Sequence, residues 1–142
     1  MSSRIKFIDS NVFVYAYVKP KREISEKISR MKEKAKEILM KINYGEERVV
    51  TSVVHMSEIA NVVESLSSIS KSIEIIENIL NNKNIIVKDV TTQDYIEAVR
   101  VANREKVSVN DALAYVIMRN NNISEIYTFD EKHFKKLNVT IL

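Results

Sequence analysis

At 142 residues the chain is long enough to bury a substantial core and suits one domain spanning residues 1–142; its composition, 45% hydrophobic and 29% charged, excludes disorder. With no cysteine, a disulfide framework and a thiolate zinc site are both excluded, and with one glycine (Gly45) and one proline (Pro20) so are the glycine-rich phosphate loops. The net charge of +3 is compatible with a polyanionic partner without specifying one, and no apolar run approaches the roughly 20 residues that span a bilayer.

The elements follow in chain order. Ile5 to Ile8 is a short apolar segment with the character of a buried strand, and it stops at Asp9-Ser10-Asn11, three helix-capping residue types in a row. Val12 to Val18 starts a buried helix that Pro20 limits; it follows an aspartate and lacks a small-residue cleavage site, so no signal peptide is expected and a cytoplasmic location is. Ile24, Ile28, Met31, Ala35, Ile38 and Ile42 recur at three- and four-residue spacing, which predicts a long amphipathic helix that Gly45 ends. Arg48 to Val54 reads as a strand running into a helix that reaches about Leu66. Ser70 to Asn82 reads as a helix with Ile73, Ile76 and Leu80 on one face, and Ile85 to Val90 as a strand. Thr91 opens a helix to about Glu105, and Ser108 opens another to about Asn120, where three asparagines mark its end. Glu125 to Phe129 is a strand, Glu131 to Leu137 a short helix and Val139 to Leu142 a last strand. Strands alternating with helices imply an α/β fold with a parallel sheet covered on both faces.

In such folds ligands bind beyond the carboxyl ends of the strands. Asp9 ends the first strand, where it either caps the next helix or serves a site. Glu58 lies in line with Val54, Val62 and Leu66 at four-residue spacing, where an unpaired carboxylate would be costly to bury; a salt bridge or a boundary position are the alternatives. Ser108-x-x-Asp111 has the form of a capping box, as does Thr91-x-x-Asp94, and spacing does not separate the two. Asp130 follows the strand ending at Phe129 and either caps the short helix or joins the site; Glu131 shares that ambiguity. Together Asp9, Glu58, Asp111 and Asp130 fall near one expected edge, whereas Asp94 is expected to stay outside as a cap. Clustered carboxylates repel unless a cation neutralises them. With only His55 and His133 to supply imidazole, oxygen must dominate the ligands, which favours Mg2+ or Mn2+ and metal-assisted hydrolysis.

The ordered set Phe7-Ile8-Asp9-Ser10-Asn11, Ser57-Glu58-Ile59, Asn110-Asp111-Ala112-Leu113 and Thr128-Phe129-Asp130 with Phe134 after it resembles the PIN domain, the nuclease domain of VapC-type toxins of toxin–antitoxin pairs. The resemblance covers nearly the whole chain. It implies a three-layer α/β/α fold with a parallel sheet of about five strands. It also implies a catalytic, metal-binding site of Asp9, Glu58, Asp111 and Asp130 supported by Asn11 and Thr128, a Mg2+ or Mn2+ cofactor, and endonucleolytic cleavage of RNA. A homodimer and a small antitoxin partner are implied too, with Val12, Tyr15 and the helix over residues 24–42 as candidate dimer contacts. Phe129 departs from the basic residue many relatives carry, and asparagine replaces the commoner glycine in the loop before the last motif. The zinc-binding module of ribosome-maturation relatives is absent.

The lysines of the long helix are interleaved with Glu23, Glu26, Glu33 and Glu37 and read as a solvated face of i,i+4 pairs. Lys132, Lys135 and Lys136 are better placed for phosphate contact. Two rival readings are a receiver-like, magnesium-binding signalling domain and a catalytically silent PIN-fold RNA-binding module. The first needs adjacent acids after the first strand, where Ser10 and Asn11 stand here, and gives Glu58 no role. Retention of all four acids speaks against the second.

Overall fold

The computed structural model describes residues 4–19 and 25–142. Five strands, β1 (Lys6–Ile8), β2 (Val49–Ser52), β3 (Ile85–Lys88), β4 (Glu125–Tyr127) and β5 (Thr140–Ile141), form one all-parallel sheet in the order β3-β2-β1-β4-β5. The chain builds outward from β1 to β3, then crosses to the other side of β1 for β4 and β5. The order therefore reverses between β1 and β4, where the crevice at the carboxyl edge of an open parallel sheet forms.

Seven helices are described: α1 (Ser10–Tyr17), α2 (Glu26–Asn43), α3 (Val53–Leu66), α4 (Ile69–Leu80), α5 (Thr92–Glu105), α6 (Val109–Asn120) and α7 (Glu131–Phe134). Alternation along the strands divides the core. Phe7, Val50, Ile86 and Ile126 face α5 and α6, whereas Ile8, Val49, Ile85 and Tyr127 face α1 to α4. The result is the expected three-layer α/β/α arrangement, with the inner strands β1, β2 and β4 buried on both faces. None of the described helices is long and apolar enough to cross a membrane.

Local chemistry sets the element ends. The α2 N-cap is Ser25, whose hydroxyl accepts from the Ile28 N–H at 3.2 Å. The role of Pro20 and the expected helical start over residues 22–24 fall outside the described residues. Gly45 ends the segment at φ +79°, and its N–H donates to the Ile42 carbonyl at 3.1 Å. A side chain there would have room, the nearest atom being 3.9 Å away, so backbone conformation is what requires glycine. Asn122 takes the left-handed conformation after α6 at φ 55°.

Three expectations are corrected by the packing. The core face of α4 carries Ser72, Ile75 and Ile79, with Ile76 half-buried at its border, while Ile73 and Leu80 are 54% and 59% exposed. Two apolar stripes run along this helix, and the Ser72 hydroxyl, donating to the Ala60 carbonyl of α3 at 2.9 Å, sits on the one that docks. On α3, Glu58 does not interrupt a buried stripe. Val62 and Leu66 are exposed, and the inward face is His55, Met56, Ile59 and Val63, so Glu58 lies half-buried at the rim. Val12 is fully buried against the inward stripe of α2 (Ala35, Ile38, Ile42), so neither is free to form a dimer contact. Tyr15 is half-buried, edge-on to Phe129 with ring centroids 5.2 Å apart.

Among the described residues the Thr51 hydroxyl, on β2, is the buried side-chain polar atom without a hydrogen-bond partner. Thr51→Val keeps the shape and removes the unpaired group. It should raise stability by about 1 kcal/mol, roughly 2–4 °C in a melting curve; an unchanged or lower midpoint would show that the hydroxyl is satisfied in solution.

Candidate active site

Asp9 is the first residue beyond β1 and the N-cap of α1. Its Oδ1 accepts the Ser10 N–H at 2.9 Å, so the capping role is real, but Oδ2 turns to the neighbouring strand and accepts the Thr128 hydroxyl at 2.8 Å. Thr128 Oγ1 in turn accepts the Asp130 N–H at 3.0 Å. One threonine thus ties the end of β1 to the loop after β4, across the point where strand order reverses. Asn11 adds a second tie, its Oδ1 accepting the Phe129 N–H at 3.3 Å. These bonds set Asn11 and Thr128 beside Asp9 and Asp130.

Glu58 comes from the second turn of α3, which begins directly at the end of β2. The Ser10 hydroxyl donates to its Oε1 at 3.2 Å. Ligand atoms of Asp9, His55 and Glu58 lie within 4.8 Å of one another. His55 is nevertheless committed elsewhere: Nε2 is 3.1 Å from the Asn110 carbonyl and Nδ1 is 2.6 Å from Ser52 Oγ. A carbonyl can only accept, so Nε2 carries the hydrogen and Nδ1 accepts the serine hydroxyl. This fully buried imidazole, edge-on to Phe7, fixes the start of α6 against α3.

Asp111 lies on the first turn of α6. Its backbone N–H is capped by Ser108 Oγ at 3.2 Å, but its carboxylate does not return the bond; Oδ2 lies instead 2.7 Å from His133 Nδ1. Asp94 behaves otherwise, closing a reciprocal box with Thr91 through bonds of 3.0 and 3.1 Å. The same spacing therefore yields a cap at α5 and an inward carboxylate at α6. Asp130 caps α7, its Oδ1 accepting the His133 N–H at 3.3 Å, while Oδ2 is 3.2 Å from His133 Nδ1. Ligand atoms of Asp111, Asp130 and His133 lie within 4.8 Å of one another.

The electrostatics record the crowding. Burial pushes the Asp9 carboxyl above the usual aspartate range, and the nearby Glu58 charge adds to this. Burial, the contact with Asp130 and the Asp9 charge push Asp111 up to about 8, while Asp130, holding the deprotonated side of that contact, is lowered. Acids whose charged form is disfavoured by burial and by neighbouring carboxylates are the groups a divalent cation would relieve. The two clusters, Asp9 with Glu58 and Asp111 with Asp130 and His133, offer mainly carboxylate oxygens of the kind Mg2+ or Mn2+ takes, so the residues fit the implied metal.

Of the lysines favoured for phosphate contact, Lys132 lines a groove of about 340 Å³ that opens on Asp130; Lys27, Met31 and Lys34 of α2 line its other wall, with Phe129 between. Lys135 is exposed and not part of that lining, and Lys136 donates to the Lys106 carbonyl at 3.3 Å. The face of α2 is thus not uniformly solvated. Lys32 donates to the Tyr15 and Val18 carbonyls at the end of α1, at 2.8 and 2.6 Å. Sequence reasoning left His133 outside the site. The signal was available in its i,i+3 spacing from Asp130, the same relation His55 bears to Glu58.

The chain is similar in structure to the sarcin–ricin-loop-cleaving toxin VapC20 of Mycobacterium tuberculosis, with a TM-score of 0.72 at 17% identity, over 96% of this chain and 97% of that one. It is similar also to VapBC2 of Rickettsia felis, solved bound to a promoter DNA fragment (TM-score 0.64, 14% identity, 98% of both chains). FitAcB of Neisseria gonorrhoeae gives a TM-score of 0.60 at 15% identity, over 98% and 96%. Comparison with curated protein sequences finds no match. The sequence profile of the PIN domain matches residues 6–139, from the first strand to the turn before the last. A profile that runs through every element from β1 to α7 decides the family: this chain belongs to the PIN domain family.

Proposed function

We propose that this chain is a metal-dependent endoribonuclease, the toxin of a toxin–antitoxin pair, with Asp9, Glu58, Asp111 and Asp130 as its catalytic metal-holding residues. Membership of the family carries nuclease activity. The observation that bears most weight is the gathering of Asp9 with Glu58, and of Asp111 with Asp130, around the β1–β4 reversal, where burial first and neighbouring carboxylates second raise two of the four carboxyls. A bound Mg2+ or Mn2+ would activate water and offset charge on the scissile phosphate. The chain's own contribution is positional. Thr128 and Ser10 aim Asp9 and Glu58, and Asn11 holds the backbone that carries Asp130. Cleavage of a fluorescent single-stranded RNA should require Mg2+ or Mn2+ and cease on chelation; cleavage that persists in excess chelator would overturn the proposal.

The groove beside Asp130 is the path we assign to the RNA backbone, with Lys27, Lys34 and Lys132 toward phosphates and the half-buried Phe129 toward a base. For single strands each phosphate contact contributes about 0.7 to the slope of log affinity against log salt. Lys132→Ala should lower that slope by about this amount and weaken binding, whereas Lys135→Ala should leave both unchanged. Equal effects from the two variants would place the RNA elsewhere.

The similar structures include toxin–antitoxin assemblies, which supports a small antitoxin covering the acidic rim. A homodimer is supported by exposed apolar side chains on α3 and α4, namely Val62, Leu66, Ile69, Ile73 and Leu80. Light scattering should return twice the chain mass at micromolar concentration; a monomer at high micromolar concentration would reject the dimer.

A further inference from the structure

His133 is held where two carboxylates converge. Its Nδ1 lies 2.7 Å from Asp111 Oδ2 and 3.2 Å from Asp130 Oδ2. Adjacent ligands on one ion with bonds of about 2.1 Å stand about 3 Å apart, so these spacings are already those of neighbouring ligand atoms. Backbone geometry maintains them: Asp130 caps α7 through the His133 N–H, and the Ser108 cap holds the Asp111 backbone. The imidazole is half-buried and meets only the acidic pair through Nδ1. The other imidazole near the site, His55, has both nitrogens engaged, by Ser52 and by the Asn110 carbonyl.

We propose that His133 is itself a metal ligand through Nδ1, and that the mixed nitrogen–oxygen set it forms with Asp111 and Asp130 makes the site favour transition-metal ions over Mg2+. The inference rests on the reading of the four carboxylates as a metal site. The chemistry is that of ligand hardness. Carboxylates serve Mg2+ and transition ions alike, whereas an imidazole nitrogen adds affinity for ions later in the first transition row and little for Mg2+. A purely electrostatic His133, paired to the two acids, would instead oppose every divalent ion to a similar degree.

Direct binding separates these outcomes without reference to cleavage. Titration calorimetry on the intact protein should give tighter binding for Co2+ than for Mg2+. His133→Asn should reduce the Co2+ to Mg2+ affinity ratio by about tenfold or more, with Mg2+ affinity itself little changed. A ratio unchanged in the variant, or affinities for both ions rising together, would overturn the proposal. Spin-echo spectroscopy of the Mn2+-loaded parent protein gives a second reading that needs no variant to fold. Nitrogen modulation from a directly bound imidazole is expected, and Mn2+ binding without it would equally overturn the assignment. Failure of the parent to bind Mn2+, Co2+ or Mg2+ at all would instead remove the metal site on which the inference stands.

Discussion

Replacing Asp111 by asparagine should leave the fold intact and reduce RNA cleavage about 100-fold or more, the kinetic equivalent of the several kcal/mol a bound cation supplies to a transition state. The two halves of this result have separate causes. The cap of α6 is the Ser108 hydroxyl on the Asp111 backbone N–H, which the substitution does not touch. Because burial and Asp130 keep the Asp111 carboxyl protonated to about pH 8, a neutral amide resembles the state the metal-free protein already holds at neutral pH. Stability should therefore change little. A metal ligand, by contrast, must be deprotonated and anionic, and the amide cannot become so. Asp94→Asn is the matched control. Its carboxylate serves only the Thr91 box, so it should cost under about 1 kcal/mol of stability and no activity. Full cleavage by Asp111→Asn with saturating Mn2+ would return Asp111 to the status of a helix-turn residue.

The second large effect is on pH. An unfolded aspartate releases its proton near pH 3.9, whereas Asp111 in the folded, metal-free chain holds its proton to about pH 8. Between those values the folded state binds more protons than the unfolded state. The stability contributed by Asp111 is thus fully present below about pH 4 and is lost as pH rises toward 8. Asp9, also raised, acts in the same sense. Asp130, which is lowered, acts oppositely, but only as pH falls below the ordinary aspartate range. The metal-free midpoint of thermal unfolding should accordingly fall from pH 5 to pH 8. Metal binding should follow the reverse course, because the ion displaces the proton. Affinity should rise by up to about tenfold per pH unit below the Asp111 pKa, or about 50-fold between pH 6 and 8. Calorimetry in buffers of different ionisation enthalpy reads both the affinity and the released proton. A metal affinity independent of pH over that interval, with no proton released, would contradict the shared-proton account of Asp111 and Asp130.

Much of this molecule was legible in the chain itself. The order of strands and helices, the parallel sheet, the caps at Ser108 and Thr91, the turn at Gly45 and the positions of Asp9 and Asp130 beyond two strands all follow from short-range periodicity and capping chemistry. Those signals act within a few residues, and so they survive without knowledge of what packs against what. The remainder was decided by docking. Helix α4 carries two apolar stripes of similar chemistry, and contact with α3 through Ser72 and Ala60 selected Ile75 and Ile79 over Ile73 and Leu80. Asp94 and Asp111 occupy identical positions after a capping residue. Only the presence of Asp130 and His133 opposite α6, residues about twenty positions further along the chain, turned one carboxylate inward while the other closed its own cap. Which acids share a proton, and where the imidazole of His133 points, depend on distances between separate elements, and those distances arise only when β1 and β4 are laid side by side.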